Sequence, residues 1–237
     1  MNFTEIRARA ADRKGGDAIL MALMPEAIEI TADYSDDRAL SQMARCIFRA
    51  GFVWRVVEQK WPGFEDAFLG FDPNALLFQP DEFWDELGRN KAIVRHHAKI
   101  LAMRDNASFV KEIVTEHGSF RNFLQNWPDD DITGLWALLA KRGKRLGGMT
   151  GKYFVRFSGK DCFLPSKDVV ACLRDAGLDV AANPTSKGDF KRIEDQFNIW
   201  ADETRLSRVH LSRICAMSVG ENYDPEIIEE NAAAYQE

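Results

Sequence analysis

The chain has 237 residues, 46% apolar and 29% charged, a balance that supports a globular core and excludes a disordered or fibrous chain. Its net charge is −6, and its longest apolar stretch, around residues 19–24, is far shorter than the roughly 20 residues a membrane helix needs. The N-terminus has no apolar secretory core, and Cys46, Cys162, Cys172 and Cys215 lack the CxxC spacing of a thiol framework, so a soluble, cytoplasmic monomer is expected.

Helical periodicity runs along nearly the whole chain, and no segment alternates long enough to make a strand, so the pattern reads as all-α. Apolar pairs over 39–51 repeat at three and four after Ser35-Asp36-Asp37, which can cap a helix start. Pro62, Pro73 and Pro80 each sit where a short helix can begin, giving segments near 63–70, 73–78 and 80–88. Residues 91–116 read as one long helix, with Gly118 as its stop. After Trp127-Pro128 and three aspartates comes a helix from about 135 to 142. A glycine turn over 146–151 leads to a helix through Tyr153, Phe154 and Phe157, and Asp168 should open the next one. Ser186 to Asp189 resembles a capping box for a helix reaching Thr204, and residues 208–219 close the fold before an acidic tail. One domain, 1–237, of two helical lobes is expected. Residues 41–150 would form the central lobe, and 1–40 with 151–237 the second.

The charge is segregated. Residues 132–160 hold no acidic residue, yet include Lys141, Arg142, Lys144, Arg145, Lys152, Arg156 and Lys160. Such a stretch marks either a surface that meets an anion or the solvated basic end of a helix. Within it, Gly147, Gly148 and Gly151 surround Met149 and Thr150, where positive φ and close backbone approach are available. Free N–H groups at the start of the following helix favour an anion, and the flanking cations add attraction that reads phosphate but not base sequence. The plain alternative is a glycine turn between two packed helices.

The string Leu146-Gly147-Gly148-Met149-Thr150-Gly151-Lys152 resembles the hairpin of the helix-hairpin-helix DNA glycosylases, with the second glycine displaced. Gly159, Pro165 and Asp168 follow in the order of that superfamily's Gly/Pro-rich loop and aspartate, at a slightly short spacing. Ala50-Gly51-Phe52-Val53-Trp54, Phe71-Asp72-Pro73, Arg95 with Lys99-Ile100, and Lys141-Arg142-Gly143 are similar to segments of the 3-methyladenine DNA glycosylase I branch, in the same order. The resemblance spans residues 41–173. It implies a bilobed helix-hairpin-helix glycosylase fold and hydrolysis of the glycosidic bond of alkylated bases such as 3-methyladenine in double-stranded damaged DNA, without a cofactor.

Two departures matter. The branch's glutamate, eight residues before the tryptophan matched by Trp54, is Cys46 here, and the N-terminal Cys and His of the branch's zinc site are missing. Asp168 and Cys172 stand at the later pair of ligand positions, too few for a closed site, so no metal is expected.

The resemblance implies a base pocket with Trp54 and Cys46, a DNA wedge at Gly51 and Phe52, and phosphate contacts from Lys144, Arg145, Gly147, Gly148, Thr150, Gly151 and Lys152. Asp168 is the remaining carboxylate able to offset oxocarbenium charge. Each role has a structural alternative: helix packing for Trp54 and Phe52, an N-cap for Asp168, an inert core thiol for Cys46. Lys152 is alternatively a Schiff-base nucleophile, which would make a glycosylase-lyase. Loss of the glutamate leaves a catalytically silent DNA-binding relative as the other reading of the whole chain.

Overall fold

Asn2 starts the first helix with a reciprocal cap: its side chain accepts from the Glu5 N–H, and the Glu5 carboxylate accepts from the Asn2 N–H, both at 3.0 Å. The computed structural model describes residues 2–25 and 29–228, and no strand occurs among them. In chain order the helices are α1 (Phe3–Lys14), α2 (Asp17–Ala22), α3 (Asp36–Arg49), α4 (Trp54–Gln59), α5 (Trp61–Ala67), α6 (Pro73–Leu77) and α7 (Asp81–Leu87). Then come α8 (His97–His117), α9 (Phe120–Asn126), α10 (Ile132–Arg142), α11 (Gly148–Phe157), α12 (Lys167–Asp175), α13 (Lys187–Thr204) and α14 (Arg208–Ser218). The acidic tail beyond residue 228 lies outside the described residues.

The chain divides into two compact units. One comprises Met1–Ile28, Asp129–Thr133 and Asp161–Glu237. Its core stacks Phe163 on Phe197 at 4.7 Å and sets Phe3 against Trp200 at 5.2 Å. Carboxylates here take N–H groups at helix starts, at α14 beside the Ser207 cap, which accepts from the His210 N–H. Asp161 accepts from the N–H groups of Arg208 and Val209 at the start of α14, and buried Glu194 accepts from the Thr133 N–H and hydroxyl at the start of α10.

The other unit comprises Glu29–Pro128 and Gly134–Lys160. Its core is aromatic: Phe48, Phe64, Phe68, Phe71, Trp84 and Phe120 are all buried, with Phe48 edge-on to Phe64 at 4.6 Å. The unit begins at Glu29 and ends at Lys160. The physical reason is visible at both ends. Gly159, at φ +86°, leaves no room for a Cβ, which would lie 2.5 Å from the Glu29 carbonyl oxygen, and Tyr34 donates to the Ser158 hydroxyl at 2.8 Å. Lys160 donates to the Trp127 carbonyl at 2.6 Å.

Several element boundaries differ from the pattern, three of them near the hairpin and the long helix. The long helix starts at His97, not 91, because residues 91–96 form a loop tied by Asn90, which accepts from the Ala92 N–H, and by Lys60, which donates to the Lys91 carbonyl. Ile93 and Val94 are buried from that loop rather than from a helix face. The glycine turn ends earlier than expected, with α11 starting at Gly148. Asp168 is the second residue of α12, and Ser166 is the cap, accepting from the Val169 N–H at 3.3 Å. Periodicity also left α1, α2, α4 and α9 unassigned; two of the five buried residues of α1 are alanines, which give a weak apolar signal.

Candidate base pocket and hairpin

Helix α3 ends at Arg49, and the chain turns through Ala50, Gly51 (φ +76°), Phe52 and Val53 before α4 begins at Trp54. The orphan carbonyls at the end of α3 are met by a cation from α8: Lys99 donates to the Ala50 carbonyl at 2.5 Å and the Phe48 carbonyl at 3.3 Å. Burial, with the Arg145 charge adding, pushes the Lys99 ammonium down to about 8. Phe52 caps the turn from outside, 39% exposed, its ring 4.4 Å from the Lys99 nitrogen. Val53 and Val56 close by in sequence are exposed as well.

A pocket of about 200 Å³ opens at this turn. Helix α3 contributes Cys46 and Arg49, the turn contributes Gly51 and Phe52, α4 contributes Trp54, and α11 contributes Met149, Thr150, Tyr153 and Phe157. The residues read from sequence as base pocket and wedge therefore share one cavity, together with Thr150 of the hairpin. Trp54 meets Tyr153 edge-on at 5.5 Å and Phe157 at 6.3 Å, leaving an aromatic wall. Cys46 is buried; burial pushes its thiol up to about 12, and Gln42 donates to its sulfur at 3.5 Å. A neutral thiol with that environment is neither a nucleophile nor a substitute carboxylate. Among the described residues, no acidic side chain lines the pocket.

The residue that sequence reasoning missed is Arg49. It is 2% exposed, with its guanidinium 4.9 Å from the Trp54 ring centre and 5.6 Å from that of Phe157. Its Nε donates to Glu58 at 2.8 Å, and Arg45 reaches the same carboxylate at 3.5 Å. A basic residue three positions after Cys46 on an amphipathic helix was the available signal.

The hairpin joins α10 to α11 through residues 143–147. Two of its glycines are needed for space. A Cβ on Gly151 would lie 2.1 Å from the Leu146 carbonyl oxygen, and one on Gly143 would lie 2.9 Å from that of Leu139. Gly148 instead needs its positive φ of +61°, and Arg145 takes φ +61° without being glycine. Gly147 caps α11 in extended backbone. Asn106 of α8 pins the loop by two hydrogen bonds to the backbone of Lys144.

Fewer cations face outward than the acid-free stretch suggests. Lys141, Lys144 and Arg145 are exposed, while Arg142 is bound by Glu112 and Glu116. Lys152, Arg156 and Lys160 are buried. Lys152 thus departs from the expected phosphate contact: its ammonium sits 4.9 Å from the Trp136 ring centre, donates to the Gly148 carbonyl at 3.4 Å, and is held below its ordinary pKa by burial. Asp168 is exposed and belongs to the other unit. Among the described residues, no three His, Cys, Asp or Glu side chains converge as a metal site, and no helix is long and apolar enough to cross a membrane.

Residues 31–140 match the family model of the methyladenine glycosylases. The resemblance is to that family of DNA glycosylases. It covers α3, the turn at Gly51 and Phe52, Trp54, and the whole of α8. Among solved structures, the 3-methyladenine DNA glycosylase I of Staphylococcus aureus is 24% identical over 56% of this chain and 80% of its own, with a TM-score of 0.49. The 8-oxoguanine DNA glycosylase of Methanocaldococcus jannaschii is 14% identical over 93% of this chain and 99% of its own, with a TM-score of 0.56. The 8-oxoguanine glycosylase/lyase of the same organism, solved with a 15mer DNA containing 8-oxoguanine, is 15% identical over 93% of this chain, with a TM-score of 0.51. The fold is that of helical DNA glycosylases, and it extends over nearly the full chain.

Proposed function

We propose that this protein is a base-excision N-glycosylase: it docks on duplex DNA by the hairpin, holds an extruded base in the pocket beside Trp54, and hydrolyses its glycosidic bond. The observation that carries this reading is the single cavity shared by Cys46, Phe52, Trp54 and Thr150, placed on the unit that also bears the hairpin. Lys144, Arg145 and the N–H groups at the start of α11 would meet the phosphates without reading sequence. Exposed Phe52 would fill the gap left by the extruded nucleotide, an apolar wedge role known from proteins that unstack DNA. Trp54 and Tyr153 would stack the base. The resemblance implies alkylated bases such as 3-methyladenine as the substrate class, and Asp168 as the carboxylate that offsets positive charge on the sugar.

The test is release of base from duplexes carrying single modified nucleotides, with alkali used to reveal abasic sites. Base release with an intact strand before alkali supports a hydrolytic glycosylase. Strand cleavage without alkali, with a borohydride-trapped adduct lost in Lys152→Gln, would favour the lyase reading. A specific observation favours the other alternative, a silent DNA-binding relative: among the described residues, the pocket lining holds a neutral Cys46 thiol and no carboxylate. Tight binding of abasic duplex with no release from any substrate would establish it.

A further inference from the structure

One residue that the sequence pattern groups with the phosphate contacts lies instead in the wall of the pocket. Thr150 lines the cavity together with Met149, Tyr153 and Phe157 of the same helix, α11. It is half-buried, and its hydroxyl makes no hydrogen bond among the described residues while keeping surface open to the solvent. Neighbouring polar groups are already engaged. Cys46 is buried and protonated, and Gln42 donates to its sulfur. Arg49 is buried and paired with Glu58. At the turn, the Ala50 N–H is bonded to the Cys46 carbonyl, the Phe52 N–H to the Arg49 carbonyl, and the Ala50 carbonyl accepts from Lys99. Trp54, Tyr153 and Phe157 meet one another by their rings. A base entering between these walls is held by stacking and finds the Thr150 hydroxyl open to it.

A hydroxyl reads a base edge differently from a charged group. It carries one donor and two acceptor lone pairs, and its proton rotates to suit the partner. Adenine presents a 6-amino donor beside N7, whereas guanine presents a 6-carbonyl acceptor there. A carboxylate accepts and does not donate, so it suits the amino group and leaves the carbonyl facing another acceptor. The Thr150 oxygen accepts from the one or donates to the other. With Cys46 where the 3-methyladenine branch has a glutamate, the acceptor-only group is gone and the amphoteric one remains.

We infer that Thr150 is the residue that hydrogen-bonds the edge of the extruded base, and that its hydroxyl lets the pocket take N3-alkylated guanines as well as N3-alkylated adenines. The inference rests on the glycosylase reading and widens its substrate class. Helix α11 then serves two ligands, its first-turn N–H groups facing the phosphates and its Thr150 side chain facing the base.

The experiment uses the full-length protein on duplex DNA treated with dimethyl sulfate, whose products include 3-methyladenine and 3-methylguanine, with the released bases separated by chromatography. Each rate is divided by the spontaneous loss of that base from the same DNA, which removes the difference in leaving-group lability. The two normalised rates should agree within about tenfold, since one hydroxyl serves both edges. Thr150→Val keeps the shape, removes the hydroxyl and should slow release of both bases by about tenfold. Thr150→Ser, which keeps the hydroxyl, should recover most of that loss. Affinity for an abasic-site duplex, which offers no base, should be unchanged in Thr150→Val. A preference above about a hundredfold for one base, or release by Thr150→Val as fast as by the wild type, would overturn the inference. So would a loss of abasic-duplex affinity equal to the loss of release, which would return Thr150 to the phosphates. Should Thr150→Val fail to fold, Thr150→Ala is read in its place. If the wild type releases neither base, the glycosylase reading falls, and calorimetric titration with free 3-methyladenine and 3-methylguanine decides the inference separately. Comparable affinities, both lowered in Thr150→Val, sustain it, and any other pattern overturns it.

Discussion

Asn106 grips Lys144 by both backbone groups, its amide donating to the Lys144 carbonyl at 3.0 Å while its side-chain oxygen accepts from the Lys144 N–H at 2.7 Å. Asn106 is itself fully buried on α8, so it ties the hairpin loop to the unit's longest helix, where Arg145 adds a second tie by donating to the Ala98 carbonyl at 3.1 Å. Removing it leaves a backbone donor and acceptor poorly satisfied. Asn106→Ala should lower stability by about 2–3 kcal/mol, read as a lower urea midpoint, and should weaken duplex binding as the loop loses its position. An unchanged midpoint would mean that the loop is held by something other than Asn106.

Charge reversal at the hairpin tests docking directly. Lys144 is exposed and only 4.0 Å from exposed Asp105, a pair worth little to stability. Lys144→Glu with Arg145→Glu should weaken binding to duplexes of any sequence and flatten the salt dependence by about 0.9 for each phosphate no longer neutralised. Unchanged affinity for an abasic duplex would remove the hairpin from the interface. Lys152→Gln should have the smaller effect, because that side chain is buried.

The hairpin glycines should rank by space rather than by φ. Gly151→Ala drives a Cβ to 2.1 Å from the Leu146 carbonyl oxygen, so the backbone must part. Gly148 has open space around its Cβ position and carries only the strain of its positive φ, about 1 kcal/mol. Melting temperatures should fall far more for Gly151→Ala than for Gly148→Ala. The reverse order would show that the α10–α11 approach is not the constraint.

The same positions show how much of this was legible in the sequence. Cys46, Gly51, Phe52 and Trp54 lie within nine residues, and a local string of that kind survives as a readable motif. The capping serine of α13 and the helix-starting prolines are likewise local signals. Asn106 with Lys144, and Lys99 with Ala50, pair residues about forty to fifty positions apart, which periodicity does not see. Counting the cations of 132–160 overstated the surface charge, because a sequence does not say that Arg156 and Lys160 fold inward, the latter onto the Trp127 carbonyl. Ile93 and Val94 misled for the converse reason: they are buried, but from a loop.

Lys99 gives a pH signature. Its folded pKa is about 8, against about 10.4 in an unfolded chain. Between those values the unfolded state binds more protons than the folded one, so stability from this group rises as pH increases. Below pH 8 both states are charged, and burial of that charge carries its full cost. The melting temperature of the wild type relative to Lys99→Met should therefore rise between pH 7.5 and pH 9.5, both limits being set roughly by those two pKa values. A difference that stays flat across that range would show that the ammonium keeps an ordinary pKa.

The catalytic prediction concerns Asp168, the carboxylate left once Cys46 stands in the glutamate's place. Its structural alternative is weak in a measurable way. Ser166, not Asp168, caps α12, so Asp168 contributes to that helix only through its charge near the N-terminus. That charge is worth about 0.3–1 kcal/mol, so Asp168→Asn should fold with nearly the wild-type midpoint and still bind abasic duplex. Base release should fall on the order of 10²–10³ if the carboxylate stabilises charge developing on the sugar. A cationic leaving group would soften that loss, since the base then departs with less help from the protein. The decisive comparison is Asp168→Asn against Ser166→Ala: the cap variant should lose about 1 kcal/mol of stability and keep its activity. An active Asp168→Asn enzyme would move the charge stabilisation to another residue, and a large loss of stability in that variant would return Asp168 to a structural role.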